Sequence, residues 1–240
     1  MSDVIACGPF IGDFETEVLS FRPYIVWLYK NLDFKDFYIS SHHDRKFLYH
    51  WVGDNFIPVD DKFSDISKQD KYYNNDITHN QYFKLIRWLR NSVYNGSTKI
   101  KKTEIKIYTV PYTKLCDPVV YDKKVYTPII MKAPKEDYIL YDKKVYFGNY
   151  NYKILSDIES YADKVKAIIS AKCVVCEAGL WTVIANMQRV PVFSWSEGAI
   201  GKYKSNGDLG FGNKNSIIYS DNENTLIKTM ELFLRKIMEY

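Results

Sequence analysis

Three carboxylates crowd one turn near the start of the chain. Asp13, Glu15 and Glu17 follow a short apolar run, Val4 to Cys7, and the glycine turn Cys7-Gly8-Pro9-Phe10-Ile11-Gly12-Asp13. A carboxylate just beyond the end of a first strand, facing a crevice, can take a proton from a bound hydroxyl as a general base. The same acids also suit the first turn of a helix, where they complement the positive end of its dipole. His42 and His43 follow a second strand-like run that ends at Ser40-Ser41. Either could donate to a phosphate or exchange a proton, and either could simply open a helix.

A second constellation lies between Lys172 and Lys202, KCVVCEAGLWTVIANMQRVPVFSWSEGAIGK. It reads as a strand (Cys173 to Cys176), the turn Glu177-Ala178-Gly179, a helix to about Gln188, a strand after Pro191, and a further glycine turn from Glu197-Gly198 to Gly201. A strand that opens through a small residue into a helix aims unpaired N–H groups and a positive dipole end at one place, which suits a phosphate. Two such turns at consecutive strand ends point to a nucleotide or nucleotide-sugar site. Glycine is also what tight strand-to-helix turns need for conformation alone. Lys143, Lys144, Arg189, Lys202 and Lys204 are candidates for neutralising phosphate, or they are solvated surface.

Other chemistries lose support. The chain has no GxxxxGK[ST], no GxGxxG after a strand, no HExxH and no GxSxG. Cys173 and Cys176 match CxxC, but they sit in an apolar strand rather than at a helix start, and positions three apart on a strand face opposite sides. With Cys7 and Cys116 isolated, the four cysteines read as structural thiols and no metal site is expected.

The elements that must position these residues alternate. Val4 to Cys7, Phe34 to Ser40 and Phe56 to Val59 read as strands; Glu15 to Asn31, bent at Pro23, and His43 to Val52 read as helices. Asp60 to Asn80 reads as a long surface loop, Gln81 to Val93 as a helix and Lys102 to Val110 as a strand. Pro111 to Pro134 suits a crossover. The hexapeptide Tyr-Asp-Lys-Lys-Val-Tyr occurs at 121–126 and 141–146, each copy a strand end before a lysine turn. Ile139 to Tyr141 begins a second sheet, Leu155 to Ala171 is a helix capped by Ser156 with Glu159, Ile217 to Ser220 is a last strand and Glu223 to Met238 a closing helix. The fold class is α/β: two Rossmann-like halves, 1–115 and 130–240, facing a cleft across the ends of their strands.

The segment Gly8-Pro9-Phe10-Ile11-Gly12-Asp13-Phe14-Glu15-Thr16-Glu17-Val18 resembles the G-P-W-x-G-E-F-G-W-E-L opening of small two-domain glycosyltransferases, and Ala171 to Trp195 resembles their donor-side half. Asp13 stands where the motif has Glu, Glu15 and Thr16 where it has Gly-Trp, and Glu177 where a small residue is common. The resemblance implies a compact GT-B architecture and metal-independent transfer of a sugar from a nucleotide-diphosphate donor, a UDP-sugar, to a hydroxyl. It implies Asp13 as the first choice of base and Glu17 as the second, with His42 and His43 on the acceptor side. Gly12, Lys143, Glu177, Ala178, Gly179, Leu180, Gly198, Gly201 and Lys202 fall on the donor side. Glu177 then contacts the ribose or sugar, and the turns at 178–180 and 198–202 hold the phosphates.

Composition bears on the acceptor. The 240 residues carry a net charge of +4, with 21 Tyr and 13 Phe, which permits an anionic partner and puts many aromatic rings at a surface or groove. Enrichment in Lys, Asn, Ile and Tyr suggests an AT-rich coding sequence. No run approaches the ~20 apolar residues of a membrane span, so a cytoplasmic protein is expected, in the host cytoplasm if viral. Enzymes of the resembled kind include phage proteins that decorate hydroxymethylated DNA bases and others that build surface glycans. Lysine turns, tyrosines and basic balance favour double-stranded DNA carrying 5-hydroxymethylcytosine. A non-catalytic nucleotide- or DNA-binding module of the same fold is the competing expectation.

Overall fold

Val4-Ile5-Ala6-Cys7 is apolar at every position, the signature of a strand covered on both faces. In the computed structural model, which describes residues 3–63, 79–96, 101–108, 126–143, 150–195, 216–219 and 223–238, it lies inside a parallel sheet. This strand, β1 (Asp3–Cys7), pairs with β2 (Phe34–Ser41) on one side and β4 (Ile105–Tyr108) on the other. The short β3 (Phe56–Pro58) lies beyond β2, giving the order β3-β2-β1-β4. Helix α3 (His79–Gly96) packs Leu89 and Val93 onto Val4, Ala6 and Ile105. Ile5 and Cys7 face the other way, in register with Phe37 and Ile39. Tyr29 of α2 (Arg22–Asn31) meets the Phe37 ring on that side, at 5.2 Å. Helices thus cover both faces.

The helix expected over Glu15 to Asn31 is three pieces: α1 (Phe14–Thr16), a π-helical turn (Glu17–Phe21) and α2. Pro23 is the cause. It has no N–H for the Leu19 carbonyl, and its ring crowds that carbonyl. The Arg22 N–H reaches back five residues to the Glu17 carbonyl, and the Tyr126 hydroxyl donates to the Leu19 carbonyl at 2.9 Å. The helix expected over His43 to Val52 is a 3-10 run, His43–Asn55, broken at Tyr49 (φ −126°, ψ 37°) and at Gly53 (φ 55°), a left-handed conformation that glycine adopts freely.

The chain divides at Thr127, into Met1–Thr127 and Pro128–Tyr240. Residues 126–127 belong to the first unit because Tyr126 bonds Leu19 and the buried Arg22 guanidinium donates to the Thr127 carbonyl at 2.8 Å. Most of the expected loop at 60–80, most of the crossover at 111–134, and the first hexapeptide up to Val125 lie outside the described residues.

The second unit holds another parallel sheet, built from β5 (Ile139–Tyr141), β6 (Tyr152–Ile154), β7 (Cys173–Glu177), β8 (Val192–Trp195) and β9 (Ser216–Tyr219), in the order β6-β5-β7-β8-β9. Met230, Phe233 and Leu234 of α6 (Glu223–Met238) pack on Ile139, Tyr141, Cys173, Val175 and Phe193. Cys176 points to the opposite face, under α5 (Leu180–Met187), where it meets Thr182. Cys173 and Cys176 are therefore buried on different faces. Helix α4 (Tyr161–Ser170) starts later than the spacing suggests. Ile158 is extended, and Ser160 rather than Ser156 caps, its hydroxyl accepting from the Asp163 N–H at 3.0 Å.

Both sheets reverse their winding. The first runs outward from β1 through β2 to β3, then crosses to the far side of β1 for β4. The second runs from β5 to β6, then crosses to β7, β8 and β9. In open parallel sheets, ligands bind beyond the carboxyl ends of the strands at such reversal points. Among the described residues no helix is long and apolar enough to cross a membrane.

Candidate functional site

The turn after β1 is held from two sides. Gly8 N–H donates to the carbonyl of Tyr108, the last residue of β4, at 3.0 Å, and Phe10 N–H to the Ser40 carbonyl at 2.9 Å, near the end of β2. Gly8 has φ 107°, and a Cβ there would lie 2.4 Å from the Ser40 oxygen, so only glycine fits. Asp13 ends the turn. It is exposed and caps α1, its Oδ1 accepting from Thr16 N–H at 2.7 Å and its Oδ2 from the Thr16 hydroxyl at 3.2 Å. These two bonds fix the orientation of the carboxylate at the start of α1. Glu15 is exposed beside it, its carboxyl raised by burial and by the charge of Asp13.

Glu17 points inward and is fully buried. The Ser41 hydroxyl donates to its Oε1, and the Tyr49 hydroxyl donates to the same oxygen at 2.7 Å. Oε2 accepts no hydrogen bond among the described residues. Arg45 Nη1 stands 4.0 Å from Oε2, at the limit of an ion pair. Two effects oppose here. Burial penalises the anion, while Ser41, Arg45 and Tyr49 favour it. Burial wins, and Glu17 is pushed up to about 7. Tyr49 is in turn raised well above its ordinary value by burial and by the Glu17 charge. His42 is half-buried beside the backbone of Ile11 and Gly12, which favours its charged form. Burial and then the Arg45 charge hold it below the ordinary histidine range. His43 is exposed.

The first unit therefore gathers Gly12, Asp13, Glu17 and His42 at the carboxyl ends of β1 and β2. Ser41, Arg45 and Tyr49 escaped the sequence reading. Ser41 and Arg45 stand beside the His42-His43 pair, and that adjacency was the available signal. Tyr49 had none, because its part depends on the break in the 3-10 run.

In the second unit the turns after β5 and β7 meet. Glu177 N–H donates to Asp142 Oδ2 at 2.9 Å, and Lys143 Nζ lies 3.1 Å from Glu177 Oε2. The Lys143–Glu177 pair is exposed and screened by solvent, so it adds little stability. Asp142 is raised chiefly by burial, and its Oδ1 is buried without a hydrogen-bond partner among the described residues. Asp142 was missed although it follows β5 directly within the second hexapeptide.

Thr182 joins the turn to the core. Its hydroxyl lies 2.7 Å from Ser194 Oγ, 3.3 Å from Cys176 Sγ and 3.3 Å from the Glu177 carbonyl, and it accepts from Gly179 N–H at 3.3 Å. Burial raises the Cys176 thiol to about 12, against the opposing pull of its contacts with Thr182 and Ser194, and leaves it an inert packing group at neutral pH. Gly179 is extended (φ 173°), and a Cβ built on it meets nothing within 4 Å. Among the described residues neither strain nor packing requires glycine there, and none of them fills the space in front of it.

Ala178 and Leu180 flank that opening and are half-exposed. Arg189 sits past the far end of α5, about 15 Å along the helix from Gly179, and does not join the turn. Gly198, Gly201, Lys202, Lys204 and Lys144 lie outside the described residues. Among the described residues no group of three or more His, Cys, Asp or Glu could hold a metal ion.

Compared with known proteins, the chain matches no family model, no curated protein and no solved structure.

Proposed function

We propose that the chain is a GT-B-like glycosyltransferase that moves a sugar from a nucleotide-diphosphate donor, a UDP-sugar, to a hydroxyl. One observation carries the reading: in each unit the polar, glycine-bearing turn follows a strand at the point where the sheet reverses its winding. In the second unit the opening at Gly179 and the first-turn amides of α5 receive the diphosphate, while Glu177 and Asp142 accept hydroxyl protons of the ribose or sugar. In the first unit Asp13 is the base and His42 lines the acceptor. Glu17, walled in by Ser41 and Tyr49, supports the turn rather than meeting substrate.

The acceptor O–H gives its proton to the Asp13 carboxylate. Its oxygen forms a bond to the anomeric carbon as the bond from that carbon to the diphosphate oxygen breaks, and the electron pair leaves with the diphosphate. Helix amides stabilise that developing charge. The acceptor in this proposal is the hydroxymethyl group of a 5-hydroxymethylcytosine in DNA, in keeping with the net charge of +4.

A thermal-shift panel of UDP-, GDP-, ADP- and CMP-sugars tests the donor. A UDP-sugar raises the melting temperature, and a flat response to all four sinks the reading. Labelled-sugar transfer onto hydroxymethylated and unmodified duplexes tests the acceptor. Asp13→Asn lowers transfer roughly 10²–10⁴-fold and leaves the donor shift in place. Undiminished transfer by that variant removes Asp13 from the role, and a donor shift with no transfer to any hydroxyl identifies a binding module instead.

A further inference from the structure

Helix α3 carries a one-signed face that the proposed transfer does not use. Over His79–Gly96 it has three cations, Lys84, Arg87 and Arg90, and no Asp or Glu, in a chain whose 33 Lys and Arg are nearly matched by 29 Asp and Glu. Lys84, Arg87, Trp88, Asn91 and Asn95 recur three or four residues apart, so they form a single stripe. Together with Lys62 they line a groove of about 730 Å³ in the first unit. Its floor is fixed: the Trp88 ring packs edge-on against Phe63 at 5.6 Å, and Phe63 is buried with Ile11 and Leu85. Lys84 and Arg87 are exposed and make no ion pair among the described residues, whereas Lys62 is held by Asp60 at 2.5 Å.

We propose that this groove binds the phosphodiester backbone of a DNA strand, with Lys84 and Arg87 on phosphates, Asn91 and Asn95 donating to phosphate or sugar oxygens, and Trp88 as an apolar wall. The chemistry is specific to a polyanion with flat apolar groups. Cations, carboxamides and an indole edge along one concave stripe suit a nucleotide strand, while an anionic bilayer calls for a convex face of long apolar side chains. From Lys84 to Asn95 the stripe runs about 16 Å, the span of roughly five nucleotides at ~3.4 Å each. This deepens the acceptor reading, and rests on it only in choosing DNA among nucleic acids.

Anisotropy of a labelled 20-base-pair duplex, titrated with the full chain between about 50 and 200 mM salt, tests the groove. Two to three phosphate contacts give a slope of log affinity on log salt of about −2 to −3. Lys84→Ala with Arg87→Ala makes that slope shallower by about 2, and Lys84→Arg with Arg87→Lys preserves it. Absence of binding at low salt, or an unchanged slope in the alanine pair, overturns the proposal. So does a phosphatidylserine vesicle that binds and is released by the alanine pair while DNA is not. No donor is present, so a failed transfer assay leaves this result standing. The donor-induced melting shift on the alanine pair reports whether its fold is intact; if it is not, the conservative pair decides, a retained slope supporting the groove and a lost one rejecting it.

Discussion

A buried acid that burial pushes up to about 7 is a stability switch as well as a scaffold. Glu17 rises from 4.5 to about 7, a difference on the order of 3 kcal/mol. The folded chain holds this proton more tightly than the unfolded chain does. Stability from this group is therefore complete below pH 4.5, falls as pH rises from there to about 7, and is gone above it. Glu17→Gln keeps the shape and an oxygen for Ser41 and Tyr49 but cannot ionise. Urea unfolding at pH 5 and pH 8 checks this: the variant gains about 2 kcal/mol relative to the wild type across that interval. A constant difference between the two proteins would mean that Glu17 does not titrate there. Asp13, four residues earlier, is exposed and held by Thr16. Sequence spacing could not separate the two, because both fall in one helical turn. Burial separates them.

Elements respond to individual donors and acceptors more than to apolar spacing. Ile158 and Tyr161 fit the periodicity of a helix that starts at Leu155, yet Leu155–Asp157 makes only a 3-10 turn, the chain is extended at Ile158, and the α-helix starts after Ser160. Apolar spacing continues through a break whenever the same side faces the core on both sides of it. Ser160→Ala should cost about 1 kcal/mol, and Ser156→Ala close to nothing, by thermal or urea unfolding. Equal losses in the two variants would place the helix start back at residue 155. The π-helical turn follows the same logic. Pro23 was visible in the sequence as a bend, but the donor that reaches the Leu19 carbonyl, Tyr126, is 107 residues away.

At the scale of the molecule, two units with separate parallel sheets divide the proposed work. Hydrogen exchange on the full chain should therefore respond locally. A UDP-sugar slows exchange in the turn from β7 into α5, and duplex DNA slows it along the exposed stripe of α3. Protection of the same peptides by both ligands would contradict the division. The order of strands and helices was readable in the sequence because apolar runs ending in glycine, alternating with amphipathic runs, allow little but a parallel α/β sheet. Composition and local pattern also located the turns that follow β1 and β7. They did not foresee β6, a three-residue edge strand with two exposed positions. Nor did they foresee the partners of Glu17, the bond from Glu177 to Asp142, or the basic groove on α3. Those depend on which residues meet across strands and helices far apart in the chain, and only the burial of one against another decides whether a carboxyl keeps its proton or a lysine stays in water.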